Sequence, residues 1–244
     1  MNHILHLAAH FREMGHEVKI IAPSSNPEAA TGNPDLIICG KPYAVPANGS
    51  TARIALSLRL SKQVKAILER EQFDVVHLHD WQAALTAAYL HFHKGPTPPS
   101  LLTVHNLAFQ GVFPTDVLKP LKLPVTAGRL DGMEYWGKVS FLKAAVKWAT
   151  HVSTVSPTYA REITTEKEGM GFDGLLRERG DRVTGIANGI DTTVWNPATD
   201  PHLVARYGPN RLHLKAANKA DVQASMHLDL DPHLVARYGP NRLH

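Results

Sequence analysis

The chain has 244 residues, of which 43% are hydrophobic and 20% charged, and a formal charge of +4. That balance supports a packed core and excludes wholesale disorder, and the scattered basic residues (Arg12, Lys19, Lys62, Lys65, Lys143, Lys147) form no nucleic-acid stripe. The single cysteine, Cys39, excludes an intramolecular disulfide, argues against a Cys-based zinc site and fits a reducing cytoplasm.

Residues 2–14 place Ile4, Leu5, Leu7, Ala8 and Phe11 at helical spacing, with Gly15 as a stop. Arg12 and Glu13 fall where a secretory signal would still be apolar. No later run approaches the roughly 18 apolar residues of a membrane span, so no membrane partner is expected. HEVKIIAP (16–23) reads as a short strand closed by Pro23. Residues 24–52, rich in Ser, Pro, Asn and Gly, read as a long loop with a short strand at 36–39.

Residues 53–71 form an amphipathic helix with Ile54, Leu58, Val64, Ile67 and Leu68 on its apolar side. The pattern then predicts a strand over 74–78, a helix over 83–92, a loop over 95–100 and a strand over 101–104. It continues with a helix near 138–149, a strand over 151–155, a helix from Pro157, a helix near 173–179 and a strand over 183–186. Strands alternating with helices predict an α/β fold with a doubly wound, Rossmann-like parallel sheet over residues 1–195. Such a domain normally opens with a strand, whereas this sequence opens with a helix.

Residues 196–244 read as a crossover and a helical or irregular tail. DPHLVARYGPNRLH occurs at 200–213 and again, unchanged, at 231–244. Two copies are too few for a solenoid, which needs about three repeats, so a duplication or join is the expected origin. The stretch between them, LKAANKADVQASMHLDL, reads as a helix.

The chemistry-bearing residues gather between Val76 and Gly111. VHLHDW ends one strand in His79, Asp80 and Trp81; TVHN ends the next in His105 and Asn106. In open parallel sheets, ligands sit beyond the carboxyl ends of the strands. An acid, imidazoles, an amide and an indole on one rim suit a sugar. Asp80 is also a natural N-cap for a helix starting near Gln82, and Trp81 is an equally natural core residue. His77 and His79 are read as alternating across the strand, so that one of them faces the cleft. A metal site built from His77, His79 and Asp80 is not expected.

HDWQAAL (79–85), TVHNLAFQGVFP (103–114), SFLKAAVKWA (140–149), TVSPTYAREI (154–163), NGID (188–191) and WNPATD (195–200) together resemble the glycogen/starch synthase family of glucosyltransferases. The resemblance covers about residues 75–230; residues 1–74 are more like two-domain nucleotide-sugar glycosyltransferases in general. It implies an N-terminal, acceptor-side domain of an enzyme that moves glucose, with retention, from ADP-glucose or UDP-glucose to the non-reducing end of an α-1,4-glucan. No cofactor and no essential metal are implied.

Within it, His105 matches the family histidine beside the transferred glucose and Asp80 an acid of the cleft, so both are catalytic candidates. Trp81, Asn106, Gln110 and His79 are candidates for substrate binding. Tyr159 and Glu162 lie in a family motif, but Ser156-Pro157 there also reads as a helix cap followed by proline, which favours a structural role. The family's opening strand and its Lys-x-Gly-Gly loop have no counterpart in the sequence, and the donor domain is replaced after about residue 230 by the repeat. Turnover by this chain alone is therefore not expected, and the alternative reading is a non-catalytic α-glucan-binding domain or an engineered α/β domain. Unpaired sheet edges at the missing strand are expected to favour self-association.

Overall fold

The computed structural model describes residues 2–22, 36–38 and 50–228. Most of the loop expected over 24–52 and the second tail copy, 231–244, lie outside the described residues. The chain falls into two compact units, Met1–Asn188 and Gly189–His244.

In the first unit, helix α1 (Asn2–Glu13) ends at Gly15, whose φ of +89° suits a residue without a Cβ. Strand β1 (Ile20–Ala22) pairs in parallel with β2 (Leu36–Ile38), and Ala8, Ile20 and Ala22 bury a small apolar cluster. After helix α2 (Ser50–Leu68) come β3 (Val76–His79), α3 (Asp80–His91) and β4 (Ser100–Val104). Then follow β5 (Val112–Phe113), the short helix α4 (Leu118–Leu121), β6 (Glu134–Tyr135) and β7 (Lys138–Ser140). Helix α5 (Phe141–Trp148), β8 (His151–Thr154), α6 (Pro157–Glu162), α7 (Asp173–Arg179) and β9 (Val183–Gly185) complete it.

Strands β3, β4, β8 and β9 form one parallel sheet in that order. This is the expected α/β parallel architecture. Its register sets Leu78 beside Leu102 and Leu102 beside Val152. These three are buried with Val104, Leu142, Val146 and Phe172 in the main core. Ala84, Ala87 and Ala88 of α3 and Ala144 and Ala145 of α5 are also buried, and such small side chains shorten the distance at which two helices can pack. Arg179, itself buried, donates to the carbonyls of Lys147, Ala149 and Thr150 at 3.0, 2.6 and 3.0 Å. It thereby satisfies acceptors that the end of α5 would otherwise leave open.

One expected element is corrected. The helix read from residue 138 begins at Phe141, because Lys138–Ser140 instead form β7, the middle strand of a three-stranded antiparallel sheet with β5 and β6. Ser140 then caps α5, accepting the N–H of Lys143 at 3.1 Å. The expected cap at α6 is present: Ser156 Oγ accepts the N–H groups of Thr158 and Tyr159, with Pro157 at the first helical position.

The second unit is built on side-chain-capped turns. Asp191, Asn196 and Asp200 each accept a backbone N–H two residues on. The first repeat copy is irregular until a 3-10 segment, Pro209–Leu214, which leads into helix α8 (Lys215–Ser225). Asn218 of α8 holds Ala205 by both its N–H and its carbonyl, at 3.0 and 2.7 Å.

Candidate functional site

The residues singled out in the sequence converge at the carboxyl ends of β3 and β4. His79 Nδ1 and His105 Nε2 are 3.0 Å apart, and their rings stack with centroids 5.3 Å apart. His3, from α1, lies edge-on to His105 with a centroid separation of 5.2 Å. His77 and His79 do not point to opposite sides of the strand, as expected; their centroids are 4.2 Å apart. The side-chain period of a strand is two, so residues i and i+2 share a face.

This face of the sheet is polar. His77 Nε2 is 2.7 Å from Thr103 Oγ1, which is 2.7 Å from Ser153 Oγ, so hydrogen bonds cross three adjacent strands. Burial, with lesser contributions from neighbouring histidines, pushes His77 down to about 4 and His79 to about 3. Both imidazoles are therefore neutral near pH 7. They can donate or accept hydrogen bonds but carry no fixed charge there. Among the described residues, no three or more His, Cys, Asp or Glu side chains are arranged to hold a metal ion.

Asp80 sits at the strand-to-helix turn with φ of +52°, a left-handed conformation that Asp tolerates better than most residues. It does not cap its own helix: α3 begins at Asp80, and His79 occupies the cap position without a side-chain bond. Its Oδ1 instead accepts the backbone N–H of His105 at 2.8 Å and, more weakly, that of Asn106 at 3.5 Å. Leu107 N–H donates to Tyr159 Oη at 2.9 Å, and Ala108 N–H to Asn106 Oδ1 at 2.9 Å. Four successive N–H groups, from 105 to 108, are thus received by side chains. The loop that carries His105 is fixed by polar contacts rather than by strand pairing.

Asn106 is exposed, with its oxygen committed to this turn. Gln110 is buried and donates from Nε2 to the Met170 carbonyl at 3.1 Å, while its own carbonyl accepts Ser140 Oγ and the Leu142 N–H. Trp81 is half-buried and packs on both halves of the core. Gly111, with φ of +58°, lies on its ring: a Cβ there would be 2.5 Å from Trp81 Cε3. Tyr159, given a structural role from its helix-cap setting, is the second acceptor that fixes the His105 loop. Neither His3 nor Thr103 carries a sequence signal for the site: His3 lies far from the motifs, and Thr103 reads as an ordinary strand residue.

Elsewhere among the described residues there is a groove of about 1500 Å³ whose lining includes Lys62, Lys65, Tyr89, Phe92, Lys119 and Lys122. The His79–Asp80–His105 cluster is half-buried at the strand ends, with His3 against it.

Comparison with known proteins addresses the origin of this rim. A family model described as the starch synthase catalytic domain matches residues 31–178. A glycogen synthase of Nitrosomonas eutropha is 54% identical over 156 residues, covering 64% of this chain and 31% of that protein. A glycogen synthase of Acidiphilium cryptum is 47% identical over 214 residues, covering 82% of this chain and 45% of that protein. Among solved structures, the catalytic domain of starch synthase IV from Arabidopsis thaliana, bound to ADP and acarbose, superposes with a TM-score of 0.61 at 31% identity. That superposition covers 73% of this chain and 38% of the plant one. The chain spans less than half the length of each of these relatives. With the β3 and β4 rims inside the matched segment, the chain belongs to the starch synthase catalytic-domain family.

Proposed function

We propose that this chain supplies the acceptor-side wall of an α-glucan glucosyltransferase. The reaction is transfer of glucose from a nucleotide-glucose donor, ADP-glucose or UDP-glucose, to the non-reducing end of an α-1,4-glucan, with no cofactor or metal. The observation that carries the reading is the locked rim: His79 against His105, with Asp80 and Tyr159 fixing the loop that carries His105, inside the family-matched segment.

In this reading His105 faces the transferred glucose and hydrogen-bonds a hydroxyl or stabilises the positive charge developing on the sugar ring. Asp80 orients His105 through its backbone, and His79 sets the direction of the imidazole through the 3.0 Å contact. Trp81 shapes the rim from behind, Asn106 borders it in solvent, and Gln110 anchors its far end. The contacts with the glucan and with the transferred glucose are assigned to this segment; the contacts with the donor's nucleotide are not. A cytoplasmic setting goes with the reading. Self-association through the open edge of β3, an end strand of its sheet among the described residues, goes with it as well.

The test is incubation with labelled ADP-glucose or UDP-glucose and glycogen, run beside electrophoresis through glycogen-containing gels. Retardation by glycogen, lost in His105→Ala, is the expected result. A chain that neither incorporates glucose nor is retarded would contradict the proposal. Retention without incorporation would identify glucan binding as the function of the isolated chain.

A further inference from the structure

The β6–β7 hairpin closes through two residues, Trp136 and Gly137, since Tyr135 pairs with Lys138. Both are left-handed, with φ of +50° and +75°. This is the two-residue I′ arrangement, whose first position ordinarily holds Asn, Asp or Gly. A bulky tryptophan there is conformationally costly, and strained residues of this kind concentrate at ligand-binding sites. Nor does burial explain it: Trp136 is 80% exposed.

The indole nevertheless has neighbours along one edge. Its Nε1 edge lies against Gly171, where an added Cβ would come within 3.3 Å, and its ring meets Tyr135 edge-on at 6.3 Å. Gly171 and its neighbour Met170 are left-handed too, with φ of +81° and +48°. The Met170 carbonyl ties the region together: Tyr135 Oη donates to it at 2.6 Å and Gln110 Nε2 at 3.1 Å. Three large exposed apolar side chains sit at this knot or one residue from it: Met170 at 45%, Trp136 at 80% and Phe109 at 62% exposure. Gln110 and Phe109 continue the loop that carries His105 and Asn106.

We propose that Trp136, flanked by Phe109 and Met170, is an aromatic platform for an α-glucan chain running away from the His79–His105 rim. The proposal rests on the acceptor reading above. A flat indole with one edge against Gly171 and most of its surface exposed matches the C–H face of a pyranose. Single apolar side chains set among polar backbone suit a narrow, chain-like ligand. A protein partner would call for a broader contiguous apolar patch.

The whole chain is tested by glycogen-gel retardation and by maltoheptaose titration, with Trp136→Asn as the main variant and Trp195→Phe as a control at another exposed indole. Asn is favoured at this turn position, so the melting temperature of Trp136→Asn should stay level or rise while glucan affinity falls about tenfold, the scale of one lost aromatic contact. Trp195→Phe should bind normally. If Trp136→Asn fails to fold, Trp136→Phe against Trp136→Leu decides: Phe should keep binding and Leu should lose it. Unchanged affinity in Trp136→Asn, or equal affinity in Phe and Leu, overturns the platform and leaves the acceptor reading standing. A wild-type chain that ignores both glucans overturns both.

Discussion

The two faces of the β3–β4–β8–β9 sheet are built from the same strands and have opposite characters. One face presents Leu78, Leu102, Val104 and Val152 to the helices; the other carries His77, Thr103 and Ser153 in a hydrogen-bonded row and His79 bonded to His105. Parallel sheets are usually apolar on both sides. Here a period of two separates the work: the apolar face secures the fold, and the polar face brings imidazoles to the strand ends.

Acid should break that comparison most severely. His77 and His79 have folded values of about 4 and about 3, below the ordinary 6.5, so the unfolded chain binds more protons across that interval. Their contribution to stability is complete above about pH 6.5 and is lost progressively as pH falls towards 3. His3 and His105 face the same cluster and add to the repulsion. Denaturant melts at stepped pH should show this decline, and His77→Gln/His79→Gln should flatten it. An unaltered decline in the double variant would contradict the buried neutral row.

On the apolar face, Leu102→Ala should cost about 3 kcal/mol, the usual scale for a cavity in a closed core, with no selective effect on glucan binding. Asp80 gives a finer contrast at the junction of the two faces. Asp80→Ala removes the acceptor for two backbone N–H groups and places Ala in a left-handed turn, for a cost of about 2 kcal/mol. Asp80→Asn keeps both the oxygen and the turn preference and should cost less than about 1 kcal/mol. The smallest effect belongs to Tyr159→Phe, about 1 kcal/mol for the lost Leu107 contact. Its signature is a shifted Leu107 amide resonance with little change in the core.

The sequence was legible where each local signal had one reading. Short apolar runs alternating with helical segments located the parallel strands, and Ser156-Pro157 marked the start of α6. The polar clusters after β3 and β4 placed His79 and His105 on one rim. It was less legible where backbone geometry decides. Asp80 reads as a cap but serves a neighbouring loop, because its left-handed φ turns the carboxylate away from its own helix's first N–H groups. The β6–β7 hairpin is too short to show alternation, and its turn residue, Trp136, contradicts ordinary turn chemistry. Gln110 reads as a hydroxyl binder and donates to Met170, a contact across 60 residues of sequence that no local pattern announces.

Backbone amide chemical shifts of the isotopically labelled chain, followed during titration with maltoheptaose, test the central claim most directly. The account predicts saturable shifts concentrated at residues 105–110 and at 136, with the buried positions of α5 unaffected. No shift at saturating sugar, or shifts confined to the lysine-lined groove of Lys62, Lys65, Lys119 and Lys122, would contradict it.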